Sequence, residues 1–541
     1  MPHSTIGGVV ALFEPRDADS FARLAAELSA RELRLLVAAG NYEALTSPAP
    51  ETELVVHRGA ADEAPRLTSS MHPPHSPDLG ARPVTARVAV RSLVERPREV
   101  ERGEHHLLIG PDAATGDVAA RTSLYWRLRQ ALERRYPLQY DRLRQLLLAR
   151  RQRGLDGHAI PRRGLSESER AVKALGPAAE RRPAVLIGLH WLDLGGAERW
   201  AVETVRLAKE AGFLPIVVTD RESTQPWITR PEFDDTVVIP LSFPLREPKP
   251  EAFLRALLET FDVRGVVVHH CAWLYDRLPL IRQLRPGVGT ADSLHIIEYA
   301  GGGYPATGVH LDDFLDVHHV ISPQLEQWLT GPQGVAPEKI AMAPLIGLTA
   351  EEQGHAFAAR VGGPIRIGFV GRFVRQKRPY LFLNLVKALR DRGVDLTAIM
   401  HGSGELDGVV NRRLRADGLS DLVELRGHDV PVEETLRDID LLVISSQNEG
   451  ITLTSLEAIA AGVPVLSADV GSQATVIPPT MLVPREPHLF VERSVETIER
   501  LIGDEPARER AWQQEMELAQ AFSAHESATD WMRSTLRAWS E

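Results

Sequence analysis

A single cysteine among 541 residues, Cys271, leaves no intrachain disulfide to form and excludes a cysteine-built zinc cluster. A reducing compartment is expected. Long apolar runs are missing as well: nothing approaches about 18 uninterrupted apolar residues, and the opening MPHSTIGGVVALFEPRD has no basic stretch ahead of its short apolar run. These absences predict a cytoplasmic chain, at most peripheral to the inner face of a membrane. Nor is there a basic excess. The formal net charge is −11, whereas a dedicated nucleic-acid binder needs a cationic footprint to displace counterions from phosphates, so no nucleic-acid partner is expected. What remains, 43% hydrophobic and 25% charged residues, is the balance of a globular protein with real cores. Its length implies several domains.

Residues 1–45 read as a βαβ-like opening: an apolar run at 9–13, a helical stretch around 21–30 and a second apolar run at 33–38. Residues 46–120 turn to Pro, Ser, His and charge, with strand candidates at 84–90 and 107–109. The whole of 1–120 is taken as an N-terminal α/β-like extension to which the sequence assigns no job. Residues 121–180 form a basic helical connector. Thirteen arginines stand against five acids over 121–170, apolar residues fall at near-helical spacing, and Pro137 is expected to kink or break the helix. A stretch such as 121–153, with Trp126, Leu128, Leu132 and Leu146 to Leu148, suits either an anionic lipid surface or packing on the neighbouring lobes.

Beyond 180, strand-like and helix-like runs alternate as in a doubly wound sheet. Strands are expected at 184–189, 214–219, 265–268 and 294–297 for a first lobe, and at 365–370, 396–400, 422–425, 441–444 and 463–466 for a second. The two Rossmann-like lobes, 181–350 and 351–490, then face one cleft at the carboxyl ends of their strands, where such sheets bind ligands. Helices in 491–541 complete the chain and are expected to return toward the first lobe.

Four segments carry chemistry. The first strand of lobe one runs into His190-Trp-Leu-Asp-Leu-Gly-Gly-Ala-Glu-Arg199, where Gly195 and Gly196 open a helix and its free amides favour an anion. By itself such a pair is more often only a turn. The second lobe opens with Gly368-Phe-Val-Gly-Arg-Phe-Val-Arg-Gln-Lys-Arg-Pro379, in which Arg372 and Lys377 can flank a diphosphate, one as a fork and one as a point charge. Downstream, Gly402 and Gly404 again follow a strand directly, at the same cleft edge. The richest stretch is Ser445-Ser-Gln-Asn-Glu-Gly-Ile-Thr-Leu-Thr-Ser-Leu-Glu457. A helix starting near Thr452 leaves Glu449 in the loop before it and Glu457 inside it, and eight helical residues span about 12 Å, the reach from ribose to sugar in a nucleotide sugar. The amides of Gly450, Ile451, Thr452 and Leu453 would meet donor phosphates, where leaving-group charge accumulates.

Taken together these segments resemble the family 4 retaining glycosyltransferases of GT-B fold, over roughly 183–485. The strongest part is the paired-glutamate signature Glu449-Gly-Ile-Thr-Leu-Thr-Ser-Leu-Glu457. The Gly-Gly-Ala-Glu-Arg199 and Val-Gly-Arg-Phe-Val-Arg-Gln-Lys377 loops support it, as does Asp440 before Ser445-Ser446. The resemblance implies lobe 181–350 on the acceptor side and lobe 351–490 on the nucleotide-sugar donor side. It implies Gly195 and Gly196 against the diphosphate, Arg372 and Lys377 neutralising it, Glu449 facing the sugar and Glu457 holding the ribose. His295, in Leu294-His-Ile-Ile-Glu-Tyr299, fits the family's cleft histidine. Neither a cofactor nor a metal is implied: the nucleotide diphosphate sugar is the donor substrate, and the acceptor is a glycan or lipid-linked molecule, often in bacterial surface polysaccharide assembly. One departure stands out. Where relatives commonly carry an acid, this chain has Thr475, which puts a donor contact in question. Asp312-Asp313, superficially like a metal motif, reads as helix-surface charge.

Two other readings stay open at this point. A GT-B phosphorylase or a nucleotide-sugar epimerase uses similar lobes and phosphate contacts. A catalytically degenerate lobe pair would instead bind carbohydrate or serve as an assembly subunit, against which the intact Arg372, Lys377, Glu449 and Glu457 weigh.

Overall fold

The structure, a computed structural model, describes residues 4–541 apart from 14, 16, 48, 60–65, 70–81, 92, 94–103, 110–135, 178–180, 194, 222, 242–249, 299–300, 347–355, 360–361 and 428. The part of the basic stretch up to residue 135 therefore lies outside the described residues, with Trp126, Leu128 and Leu132.

The chain opens with an antiparallel hairpin, β1 (Ser4–Ile6) and β2 (Val9–Ala11). Two helices, Ala18–Glu27 and Ala30–Thr46, follow. The second corrects the βαβ-like expectation, because the apolar run at 33–38 is helical. Ser29 and Glu32 close a reciprocal capping box at its start. The helix reads as a strand in sequence because it is covered on every side: Leu35, Leu36, Val37, Ala38 and Ala39 are all buried. A small mixed sheet of order β4-β6-β3-β5 flanks it, with β3 Glu51–Arg58, β4 Arg66–Ser69, β5 Val84–Arg91 and β6 Glu104–Ile109. Arg31 donates to the Thr224 carbonyl and Arg34 to that of Ile228, so this extension shares one continuous apolar core with the lobe that follows.

That lobe is a seven-stranded parallel sheet of order β13-β12-β11-β10-β7-β8-β9. Its strands are β7 (Pro183–Leu189), β8 (Leu214–Thr219), β9 (Val237–Pro240), β10 (Asp262–His269), β11 (Gly289–Leu294), β12 (Val317–Val320) and β13 (Ile340–Met342). β11 ends where a strand at 294–297 was expected to begin. The second lobe is a six-stranded parallel sheet of order β16-β15-β14-β17-β18-β19 around its own core. It comprises β14 (Ile365–Val370), β15 (Leu396–His401), β16 (Val423–Arg426), β17 (Leu441–Ile444), β18 (Val465–Ala468) and β19 (Leu482–Val483). The architecture is α/β, of GT-B type: two Rossmann-like lobes and an N-terminal α/β extension. Helices Pro487–Ile502 and Glu505–Ser523 pack on the second core through residues such as Phe490 and Trp512, whereas Ala528–Ser540 puts Trp531, Met532 and Leu536 into the first.

Two further findings concern the connector and the acid pair. Pro137 is the first residue of helix Pro137–Gly157, where a missing N–H costs nothing, so it marks a helix boundary rather than an internal kink. The helix is tied to the second lobe by a fully buried ion pair, Arg378 Nε to Asp141 Oδ2 at 2.8 Å. Asp312 is not free surface charge. Its carboxylate meets His318 Nε2 at 3.2 Å, Lys339 Nζ at 2.7 Å and Arg162 Nε at 3.3 Å, a structural hub rather than a solvated face.

Candidate functional site

Strand order decides where the cleft lies. In the first sheet the chain leaves β7 for β8 on one side and returns to β10 on the other; in the second it leaves β14 for β15 and returns to β17. Each lobe thus has a topological switch point, and the loops leaving the carboxyl ends of those strands diverge to leave a crevice. Residues after β7 and β10 are His190 and His270; those after β14 and β17 are Gly371-Arg372 and Ser445-Ser446.

In the second lobe the two loops are stitched together across the switch point. Ser445 Oγ donates to the Lys377 carbonyl at 2.9 Å, the Gln447 amide to the Gln376 carbonyl at 2.7 Å, and Gln376 Nε2 to the Asn448 carbonyl at 2.8 Å. The result sets Lys377 Nζ 2.6 Å from Glu449 Oε1, with the carboxylate almost wholly buried. Arg372 is exposed and makes no ion pair among the described residues, yet its charge acts on His190 and Glu198 across the cleft. Helix Leu453–Ala460 begins with Thr452 as its N-cap, as expected from sequence, and carries Glu457. Burial raises the pKa of the Glu457 carboxyl above its ordinary range, and Arg199 of the first lobe lies 3.5 Å away.

The lobes meet at this loop. A Cβ built on Gly450 would stand 2.3 Å from the His295 carbonyl oxygen, and one on Gly196 would stand 3.8 Å from Leu453 Cδ1. Asn448 Nδ2 donates to the Ile297 carbonyl at 2.9 Å, and Ser322 and Ser472 hydroxyls are 2.7 Å apart. Ile451 is buried beside them. Thr475, the departure from the usual acid, also bridges the lobes, donating from Oγ1 to Gln324 Oε1 at 2.8 Å.

His295 is held in one tautomer by a chain of hydrogen bonds. His319 Nε2 lies 2.7 Å from the Ala343 carbonyl and must donate to it. Burial keeps His319 neutral, with a pKa of about 4, so its Nδ1 accepts the Ser293 hydroxyl proton at 2.8 Å. Ser293 Oγ then has only lone pairs for its remaining partners, Trp200 Nε1 at 3.1 Å and His295 Nε2 at 2.9 Å. His295 therefore carries its proton on Nε2 and leaves Nδ1 as an acceptor. Burial drives its pKa well below the ordinary histidine value.

The other glycines divide into two groups. Gly195 is the extended N-cap of helix Gly196–Glu210, and a Cβ there would collide with Glu198 Oε2 at 1.9 Å. Glu198 folds over its own helix start, and burial raises its pKa. Gly402 and Gly404 lie against backbone: Cβ atoms there would stand 2.1 Å from the Gly371 carbonyl oxygen and 2.8 Å from that of Phe373. They let β15's loop press on the one bearing Arg372.

Sequence reasoning passed over several residues the fold gathers here: His190, Arg221, His270, Tyr304 and Arg199. For His190, Arg221 and His270 a position just after a strand gave a signal, and Arg199 closes the glycine-loop motif; Tyr304, in helix Gly303–His310, had none.

Residues 364–504 match the model of the family described as Glycosyl transferases group 1. The lipopolysaccharide core biosynthesis mannosyltransferase LpsB of Rhizobium meliloti (strain 1021) is 33% identical over 111 residues, 20% of this chain and 32% of that protein. The 2-deoxystreptamine glucosyltransferase of Streptomyces kanamyceticus is 28% identical over 211 residues, 36% of this chain and 51% of that one. The chain thus spans a third to a half of the length of these curated relatives. Among solved structures, a glycosyltransferase from Rickettsia africae ESF-5 aligns with 66% of this chain and 98% of its own at a TM-score of 0.49 and 12% identity. Anabaena Alr3699/HepE, solved in complex with UDP, gives 66%, 97%, 0.49 and 12%. The family match and the curated relatives support a place in the glycosyltransferase superfamily. Among the described residues, no helix is long and apolar enough to cross a membrane, and no three His, Cys, Asp or Glu side chains cluster as for a metal ion.

Proposed function

We propose that the chain is a retaining, metal-independent glycosyltransferase that moves a sugar from a nucleotide diphosphate donor to a glycan, lipid-linked or other acceptor in surface polysaccharide or glycoconjugate assembly. One observation carries the reading: the Lys377–Glu449 pair sits at the second lobe's switch point, on the loop that closes directly against His295. The donor lies along that switch point, its diphosphate between Arg372 and Lys377, with the amides of Gly450 to Leu453 at its oxygens. Glu457 takes the ribose hydroxyls in place of Arg199. Glu449 faces the sugar, and the unprotonated Nδ1 of His295 accepts from one of its hydroxyls.

Chemically, the bond from the anomeric carbon to the phosphate oxygen breaks with its electron pair going to the diphosphate. The acceptor hydroxyl adds to the same face and its proton passes to the departing phosphate. The cations and helix-start amides stabilise the leaving charge in a site that water leaves when the lobes close. Helix Pro137–Gly157 exposes Leu143, Leu146 and Leu147 beside Arg142 and Arg150, which supports peripheral contact with an anionic membrane through 121–153. Loss of liposome flotation in a Leu143→Glu, Leu147→Glu variant tests that part.

The main test incubates the purified protein with a panel of nucleotide sugars and measures nucleotide diphosphate release. Release from one donor, abolished in Glu449→Ala and unaffected by EDTA, is expected. NMR of the product then reads the anomeric configuration. No donor turned over or bound, inversion at the anomeric carbon, or dependence on a metal would each refute the corresponding element.

A further inference from the structure

The first lobe's own switch point is built as a ligand site that the donor reading leaves unused. His190 follows β7 and His270 follows β10, so the two flank the crevice, and their rings stand 5.5 Å apart. Tyr304 lies parallel on His270, with centroids 4.8 Å apart and a 4° tilt, while its hydroxyl meets His190 Nδ1 at 3.2 Å. Arg221 donates to that hydroxyl at 3.4 Å and lies over the Trp191 ring at 5.8 Å. The amides of Asp220 and Arg221 both bond the His190 carbonyl, which fixes the arginine's backbone at the crevice.

Two features of this cluster suit a ligand. Trp191 Nε1 and His270 Nε2 are both buried and find no hydrogen-bond partner within the protein, so each keeps a hydrogen bond that a ligand hydroxyl can take up. His270 also holds a left-handed backbone, φ 58°, rare for a residue with a side chain and concentrated at binding sites. The charge is equally uneven. Arg221 is exposed and makes no ion pair among the described residues, and its charge together with burial lowers the pKa of His270 to about 4, so the imidazole stays neutral. An exposed guanidinium that makes no ion pair with the neighbouring Asp220 carboxylate, and that has the Arg372 charge acting on the same His190, matches an anion carried on a hydroxylated molecule.

We propose that His190, Trp191, Arg221, His270 and Tyr304 form the acceptor subsite and that the acceptor is an acidic saccharide, its phosphate or carboxylate held by Arg221 and its hydroxyls by Trp191 and His270. The assignment to the acceptor rests on the transferase reading; the anion preference does not.

Calorimetric titration of the full chain with methyl glucuronide, glucose 6-phosphate and methyl glucoside, at low and high salt, tests it. Tighter binding of at least one anionic probe than of the neutral one, by about tenfold, is expected at low salt, and Arg221→Gln should remove that margin. Which anionic probe binds better identifies the group. His270→Phe, which keeps the ring stack, should weaken all three. Equal affinity for charged and neutral probes, no binding of the anionic ones at about 10 mM, or a margin that survives Arg221→Gln overturns the proposal. UDP and GDP titrations run alongside read the donor site: their binding should fall in Lys377→Ala and stay unchanged in Arg221→Gln. A failure there strikes the transferase reading, not the anion site.

Discussion

Replacing Gly450 by alanine puts the smallest possible wedge between the lobes. The added methyl carbon would sit 2.3 Å from the His295 carbonyl oxygen and 3.3 Å from Ile321 Cδ1. A carbon and an oxygen in ordinary contact need about 3.3 Å, so backbone must yield by about 1 Å. The nearer partner is backbone and cannot swing aside, whereas the Ile321 methyl is a side-chain end that can. If the closed arrangement held, the overpacking would cost about 1–3 kcal/mol. The lobes have separate cores and can part instead, so the loss should appear in catalysis. A displacement of this size between reacting groups lowers the rate by about 10²-fold. Steady-state transfer kinetics and nucleotide diphosphate titration separate the two effects: kcat/KM should fall by about that factor while the nucleotide affinity, carried mostly by Arg372, Lys377 and Glu457, falls much less. Asn448→Ala, which removes the bond to the Ile297 carbonyl, should act the same way more weakly. Wild-type kcat/KM in Gly450→Ala would refute a site formed by closure at this contact. An equal fall in nucleotide affinity would place the damage within the second lobe.

Other perturbations follow from buried charge. Arg378→Met strands the Asp141 carboxylate, whose pKa burial already raises, and should cost about 3–5 kcal/mol in urea unfolding; a change within error would show the pair to be dispensable. Burial opposes the charge on His318, but Asp292 and Asp312 outweigh it and raise its pKa from 6.5 to about 9. A raised folded-state pKa stabilises fully below the unfolded value, so this contribution, about 3 kcal/mol, should be present below pH 6.5 and fade as pH rises through 9. His318→Gln should flatten the stability profile in that window, and an unchanged alkaline limb would contradict the assignment. Ser293→Ala frees His295 to change tautomer and should lower kcat about tenfold without altering nucleotide affinity. Unaltered kcat would show that the tautomer is immaterial.

Strands at 365–370 and 441–444 are where the sequence places them, because a strand buried on both faces of a parallel sheet reads as a continuous apolar run. β11 and β12 are harder to see for the opposite reason. Gly-Thr-Ala-Asp-Ser-Leu and Val-His-His-Val carry Asp292, Ser293, His318 and His319 into the interior, where hydrogen bonds to one another replace water. The same network therefore hid the strands and fixes His295. On the second lobe, Lys377, Glu449 and Glu457 were legible because each lies on one loop or helix start directly after a strand. On the first lobe, His190, Arg221, His270 and Tyr304 come from four separate segments, and only the strand order brings them together.

The glycines also answer to a constraint within the protein itself. A glycine-rich loop before a helix suggests a phosphate cradle, yet at Gly195 the space is taken by Glu198, and at Gly402 and Gly404 it is taken by the backbone of the 371–373 loop. Left-handed Gly471 approaches the Glu449 carbonyl so closely that a Cβ there would stand 1.6 Å away. Gly402, Gly404 and Gly471 are small so that backbone can meet backbone, which sets the Arg372 loop and the Glu449 loop against their neighbours. In the proposed donor site the diphosphate meets side chains with charge to give, Arg372 and Lys377, and the amides at the start of helix Leu453–Ala460, whose N-cap residue makes no side-chain capping bond to them.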